Sequence, residues 1–454
     1  MSTEALVGRG PAARPRGSTW IDDWRPEDQA FWDEGGAKVA KRNLAFSILS
    51  EHIGFSVWTL WAVFVLFMGK NYGFDPSQKF LLTSAPAAVG AGLRIPYTFA
   101  VAKFGGRNWT IVSALLLLIP CIAAAIVLKP GVSFSTVLIV AMLAGFGGGN
   151  FASSMANINA FYPQRLKGWA LGLNAGGGNL GVPVALLAGL AILATAGKEH
   201  PRYLLAIYMP LIIIAALFAA LKMDNLTSAR NDTRAMRDVM RDKHTWVMSF
   251  LYIGTFGSFI GFSFAFGQVL LVQFKDTFDT PIKAAYLTFL GPLIGSLIRP
   301  VGGKLADKFG GAKITFLTFI AMGACASLVL VASYNKSLGL FIGAFLTLFF
   351  FSGIGNGSTY KMIPAIFQAK AKHADVPEDV ASLNARRLTG GLIGLTGAIG
   401  AFGGVLVNLA FRESFLQTKA GNGAYIGFIC FYVACVALTW FVYLRPSKGR
   451  LVGV

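Results

Sequence analysis

The chain is poor in charge and poorest in acid. Only 13% of its 454 residues are Asp, Glu, Lys or Arg, and 21 carboxylates stand against 40 basic side chains. A soluble domain carries about a quarter charged residues. With 55% hydrophobic residues and a mean hydropathy of +0.60, the chain reads instead as an integral membrane protein. Histidine is scarcer still: His52, His200, His244 and His373 are scattered, leaving no His–Cys cluster for a metal and no nucleophile–base set for an enzyme. Cys121, Cys325, Cys430 and Cys435 all lie in apolar runs, so neither disulfides nor a metal site are indicated. No cofactor is expected.

What is abundant is long apolar sequence. Windows of about 20 apolar residues give twelve spans, near 44–68, 79–102, 109–128, 136–160, 168–196, 203–221, 246–272, 284–303, 314–333, 339–362, 388–411 and 424–444. The expected fold is all-α: a tail over 1–43, six helices over 44–221, a linker over 222–245, six helices over 246–444, and a tail over 445–454. The first apolar run is too long for the core of a cleaved signal peptide. The net charge of +19 does not indicate nucleic acid, because of where it sits. About 27 of the 40 basic residues fall on the side of the two termini and about 10 on the other, which places both termini in the cytoplasm. The linker interleaves Arg230, Arg234, Arg237 and Arg241 with Asp232, Asp238 and Asp242, an amphipathic pattern whose basic face suits anionic lipid. Trp24, Phe31 and Trp32 in the first tail read as anchors at the membrane interface.

Three basic residues remain inside spans: Arg94, Arg299 and Lys361. The two arginines are each followed at the same distance by Lys-Phe-Gly-Gly, at 103–106 and 308–311, so the chain is a duplication with a buried cation in each copy. An arginine at mid-membrane costs at least about 2.5–3.5 kcal/mol unless a cavity or partner receives it. Two at equivalent positions suggest an anion site between the halves. The glycine-rich fourth span repeats in the tenth, Gly147, Gly149 and Asn150 recurring as Gly353, Gly355 and Asn356 at an offset of 206 against 205 for the arginines. Small-xxx-small stripes follow at Gly168, Gly172 and Gly176, at Gly390 and Gly394, and at Gly400 and Gly404, the spacing that lets helix backbones approach closely.

Two parallel six-span halves with a midplane site between them is a layout of secondary transporters. Gly303-Lys-Leu-Ala-Asp307-Lys308-Phe-Gly310-Gly resembles the GxxxD(R/K)xGG loop of the major facilitator superfamily. The first copy has Ala102 in place of the acid, so a carboxylate latch is expected only in the second half. The fourth and fifth spans, Gly145-Phe-Gly-Gly-Gly-Asn150 through Asn157 and on to Gly168-Trp-Ala-Leu-Gly172-Leu-Asn174-Ala-Gly176, resemble the signature of the nitrate/nitrite porter family. Gly355-Asn356-Gly357-Ser-Thr-Tyr-Lys361 resembles its second signature, and Trp24-Arg-Pro-Glu-Asp and Arg42-Asn-Leu extend the likeness over nearly the whole chain.

The resemblance implies the major facilitator fold and transport of nitrate and nitrite across the cell membrane, in its simplest form nitrate uptake in exchange for nitrite. It implies anion binding by Arg94 and Arg299, with Asn157, Tyr252 and Phe256 around them. A guanidinium fork suits a planar oxyanion, and two aromatics four residues apart share a helix face. The competing readings are a structural ion pair for the arginines, an interhelical hydrogen bond for Asn157, and packing for the aromatics. Nitrate/proton symport is the alternative, because Glu51-His52 in the first span offers a group that titrates. Lys361 either enlarges the positive field or neutralises Glu51. A nitrate receptor that does not transport is a remote third reading, and a monomer is the expected state.

Overall fold

The computed structural model describes residues 19–228, 233–372, 377–446, 451, 453 and 454. Arg230, Asp232 and His373 lie outside them. Twelve long helices follow one another: α1 (Ala37–Phe67), α2 (Pro76–Phe104), α3 (Gly106–Val127), α4 (Phe134–Phe161), α5 (Gln164–Thr195), α6 (Arg202–Lys222), α7 (Lys243–Gln273), α8 (Pro281–Phe309), α9 (Gly311–Tyr334), α10 (Leu338–Ala371), α11 (Glu378–Thr418) and α12 (Asn422–Leu444). Among the described residues, eleven stretches are long and apolar enough to cross a membrane. The twelfth helix, α2, matches them in length at 29 residues, but Lys79, Arg94, Lys103, Pro86 and Pro96 dilute its apolar character. It starts on a capping box, with the Asp75 side chain accepting from Gln78 N–H and Pro76 in the first turn.

The duplication is visible in the backbone. Both α2 and α8 end on the first glycine of Lys-Phe-Gly-Gly, Gly105 at φ 85° and Gly310 at φ 93°. Glycine adopts this region without the Cβ penalty other residues meet. In the first half Gly148 of α4 crosses Gly90 of α2 so closely that a Cβ on Gly148 would lie 2.8 Å from the Gly90 Cα. In the second half Gly353 of α10 crosses Gly295 of α8, with a Cβ 2.8 Å from the Gly295 Cα. Gly353 therefore answers to Gly148 rather than Gly147, and the repeat keeps one offset, that of the arginines. Gly147 instead meets the carbonyl of Gly54 on α1.

The halves meet where Phe80 of α2 stacks on Phe411 and Phe415 of α11, where Thr83 Oγ1 donates to Asn408 Oδ1 at 2.8 Å, and where Trp58 of α1 packs edge-on against Phe264 of α7. The linker forms a helix, Thr233–Met240, that buries Ala235, Met236 and Val239 against α11 and leaves Arg237 and Arg241 exposed.

The first tail is built into the protein. Trp20–Ile21 pairs in parallel with Asn225–Leu226 of the linker, Arg42 pairs with Asp224, and Trp24 Nε1 donates to the Phe161 carbonyl at 3.2 Å. Trp24, Phe31 and Trp32 are buried against one another and against Phe161 and Tyr162, so they pack inside the protein and are not the exposed interface anchors expected from the sequence.

Candidate functional site

Arg94 leaves α2 where glycines on two other helices make room. Its Nε donates to the Gly148 carbonyl of α4 at 3.1 Å and its Nη1 to the Gly397 carbonyl of α11 at 2.7 Å. The side chain is fully buried, and its guanidinium carbon lies 4.5 Å from the ring centroid of Phe151, 4.9 Å from that of Phe256 and 5.6 Å from that of Trp58. Its Nη2 has no acceptor among the described residues. Arg299 of α8, 3% exposed, donates from Nη2 to the Tyr252 hydroxyl at 3.2 Å, lies 5.7 Å from the Tyr360 ring and 6.0 Å from Phe256, and has no acceptor for Nη1 among the described residues. One aromatic ring thus lies beneath both guanidinium groups. Neither arginine is in an ion pair among the described residues, so the structural ion pair is not what holds them.

The ring is positioned by a π-helical turn, Ile253–Gly257, within α7. Such turns insert one residue into the helix and are frequent at functional sites. The backbone there lies against α11 at glycines: a Cβ on Gly257 would be 2.7 Å from the Gly403 Cα, and one on Gly400 would be 2.3 Å from the Tyr252 ring. Tyr252 and Phe256 stack on each other, and Phe256 stacks in turn on Phe151 at 6.0 Å. The result is an aromatic wall with two cations over it, each keeping one nitrogen unpartnered among the described residues, Nη2 of Arg94 and Nη1 of Arg299. Charge-assisted hydrogen bonds to a small anion are what such nitrogens can make.

The structure brings together Arg94, Arg299, Tyr252 and Phe256, and it places Asn157 elsewhere. Nine residues beyond Gly148 on α4, about 13 Å along the helix, Asn157 packs at the start of α3, where a Cβ on Gly106 would meet its Oδ1. Asn174 donates from Nδ2 to Glu51 Oε2 at 2.7 Å and to Ser154 at 2.6 Å. Phe151, Tyr360 and Trp58 were not singled out by the sequence, although all three touch an arginine. They sit in helices that are apolar around most of their circumference, so periodicity does not mark the inward face.

Among the signature residues, Gly149 packs on Tyr97, Gly355 on Thr255 of the π-helical turn, and Gly357 on the backbone of Arg299 and Gly303. Asn150 and Asn356 are buried, with no partner for their amides among the described residues. The Gly172 and Gly176 positions face open space, so that stripe does not hold helices together. The close approach of α5 to α1 is made by Gly177, Gly178 and Gly181 instead. Glu51 is fully buried, and His52 turns its Nδ1 to the Gly177 carbonyl at 3.1 Å. Lys361 neither faces the arginines nor neutralises Glu51. It pairs with Asp307 at 2.6 Å on a half-exposed surface, which joins α10 to the loop motif of α8 as the carboxylate latch of the second half. Lys308 lies over the Phe309 ring, as Lys103 lies over Phe104 in the first half.

The family model of the Major Facilitator Superfamily matches residues 50–408. The nitrate/nitrite transporter NarU of Salmonella typhimurium is 39% identical, over 95% of this chain and 97% of its own. The probable nitrate/nitrite antiporter NarK2 of Thermus thermophilus is 34% identical, over 95% of this chain and 98% of its own. Among solved structures, the crystal structure of a D-xylose-proton symporter superposes with a TM-score of 0.62 at 14% identity, covering 88% of this chain and 97% of that one, which speaks for the fold alone. The chain belongs to the nitrate/nitrite porter family of the major facilitator superfamily.

Proposed function

We propose that the chain carries nitrate and nitrite across the bacterial cytoplasmic membrane, taking up one in exchange for the other by rocking its halves around Arg94 and Arg299. The observation that carries this reading is the pair of guanidinium groups over Phe256, one from each half, each with one Nη that no acceptor among the described residues takes. Nitrate and nitrite are planar anions with charge spread over their oxygens, and the N–H donors of a guanidinium lie in a plane that suits them. The names of the relatives point to the same substrates.

Exchange follows from the charge. In the empty carrier the two cations repel each other and oppose closure of the halves around them. A bound anion offsets that repulsion, so only the loaded carrier crosses easily between its two open states. One chain supplies both arginines, which makes the monomer the working unit. Both termini face the cytoplasm, and the exposed Arg237 and Arg241 of the linker meet anionic headgroups there.

Counterflow in proteoliposomes tests this. Nitrite loaded inside accelerates uptake of labelled nitrate, and an inward flux indifferent to the internal anion would rule exchange out.

A further inference from the structure

The repeat places unlike residues at like positions around the two arginines. At the offset of 205 that relates Arg94 to Arg299, Ala91, Phe151 and Met155 of the first half answer to Ser296, Asn356 and Tyr360 of the second. The backbone supports this pairing: Gly148, three residues before Phe151, crosses Gly90 as Gly353, three before Asn356, crosses Gly295. The first set is apolar. Each member of the second carries a buried polar atom with no partner among the described residues, namely Ser296 Oγ, the Tyr360 hydroxyl, and both Oδ1 and Nδ2 of Asn356. Asn356 itself is fully buried.

The neighbours of Asn356 on α10 fix the direction it takes. One turn before it, Ser352 donates to the Thr255 carbonyl at 2.9 Å, and three residues after it, Thr359 Oγ1 lies 3.2 Å from Thr255 Oγ1, so one flank of this face meets the π-helical turn of α7. The other flank meets α8, where Gly353 crosses Gly295 and a Cβ on Gly357 would lie 2.3 Å from the Arg299 carbonyl. Residues three and four apart share a helix face, which points Asn356 into the wedge between the π-helical turn and Arg299. Tyr360, one turn further on, has its ring 5.7 Å from the Arg299 guanidinium and 6.1 Å from the Tyr252 ring. In the first half Phe151 fills the matching wedge, 4.5 Å from the Arg94 guanidinium and 6.0 Å from Phe256.

A buried amide with neither atom paired opposes folding, so packing alone does not account for Asn356. Asn150, the other amide in this condition, turns away from Arg94 to α1, where a Cβ on Gly54 would lie 2.7 Å from its Nδ2. Asn356 is therefore the amide that faces an arginine. Nitrate has three oxygens, and Arg94 Nη2 and Arg299 Nη1 offer donors to two of them. The third is left for Asn356 Nδ2. Nitrite has two oxygens and presents on that side only a nitrogen lone pair, one N–O bond shorter in reach.

We propose that Asn356 is a specificity-determining residue of the anion site, donating from Nδ2 to the third oxygen of nitrate. The second half is then the side that tells the two anions apart, because a site built to hydrogen-bond a group rejects the analogue lacking it by leaving its own buried donor unpaired. The first half, with Phe151 in the same place, holds either anion alike. The inference rests on the anion transport proposed above and adds a preference for nitrate over nitrite.

The test is calorimetry of the purified full chain with nitrate and with nitrite, beside melting curves without either anion. The wild type should bind nitrate more tightly than nitrite, a readout that needs no variant. Asn356→Leu keeps the size and loses the donor. It should weaken nitrate binding at least about ten-fold, as loss of one charge-assisted hydrogen bond does, and nitrite binding by much less, so that the preference collapses. Without anion it should melt no lower than the wild type, because it removes an unpaired buried amide. Equal affinities for the two anions in the wild type, an unchanged or equally weakened pair of affinities in Asn356→Leu, or a lower melting temperature of its anion-free form would each overturn the specificity role. Absence of binding of either anion by the wild type would overturn the anion reading itself.

Discussion

Tyr252 lies face to face with Phe256 across the π-helical turn of α7, ring centroids 5.2 Å apart and planes 8° from parallel. Each ring serves a different part of the site. The Tyr252 hydroxyl accepts from Arg299, and the Phe256 ring lies beneath Arg94 and Arg299 together. Tyr252→Phe removes one acceptor and leaves a second buried N–H of Arg299 unpaired, a cost of about 1–3 kcal/mol for such a group. Nitrate affinity should fall roughly ten-fold for each 1.4 kcal/mol of it that reaches the bound state. Phe256→Ala also loses the platform under both cations and opens a cavity worth about 3–5 kcal/mol, so it should lower thermal stability as well as binding. Calorimetry and a melting curve on the two variants separate the effects.

Replacing either arginine by lysine keeps the charge and loses the fork. Charge-assisted hydrogen bonds contribute about 1.5–3 kcal/mol each, so Arg94→Lys and Arg299→Lys should weaken nitrate binding by tens to a few hundred-fold. Arg94→Lys should be the more severe, because Arg94 also holds the Gly148 and Gly397 carbonyls that join α4 and α11. Membrane expression should remain normal. Uptake at wild-type rate in either variant would remove both arginines from the site.

The glycines make opposite predictions according to what faces them. A Cβ on Gly148 would lie 2.7 Å from the Trp58 ring and 2.8 Å from the Gly90 backbone, and neither can retreat without moving a helix. Gly148→Ala should therefore cost about 1–3 kcal/mol by overpacking and displace the carbonyl that Arg94 bonds. Gly172→Ala and Gly176→Ala meet nothing within 4 Å and should leave yield and melting temperature unchanged. Thermal melting of the three purified variants decides.

The fold was largely legible because membrane spans announce themselves by length and apolarity, and even α2, less apolar than the other eleven because it carries Lys79, Arg94 and Lys103, is marked by its run over 79–102. Arg94 and Arg299 were legible for a similar reason, since a cation in an apolar run needs an explanation. Phe151 and Tyr360 carry no such mark, being aromatic residues in helices where apolar side chains occupy nearly every face. Asn157 and Asn174 look alike in sequence, both amides in glycine-rich helices, and only the packing of α4 against α3 and of α5 against α1 separates them. The aromatics of the first tail read as membrane anchors because their partners, Phe161 and Tyr162, lie more than a hundred residues away in the chain.

Asp307 and Lys361 give a prediction about rate. Their ion pair ties the loop motif of α8 to α10, and a Cβ on Gly168 of α5 would lie 3.2 Å from the Lys361 Nζ, so the pair sits where the second half touches the first. Both side chains are substantially exposed, at 54% and 40%. An exposed pair of this kind contributes less than about 1 kcal/mol to stability, so Asp307→Asn and Lys361→Met should melt close to the wild type and bind nitrate with unchanged affinity. If the contact among α5, α8 and α10 breaks each time this side of the carrier opens, both variants should alter the counterflow rate several-fold. The double exchange Asp307→Lys with Lys361→Asp should restore part of it, and high salt should mimic the single variants through screening. A large loss of thermal stability in either single variant, with an unaltered rate, would make the pair a structural tie within the second half.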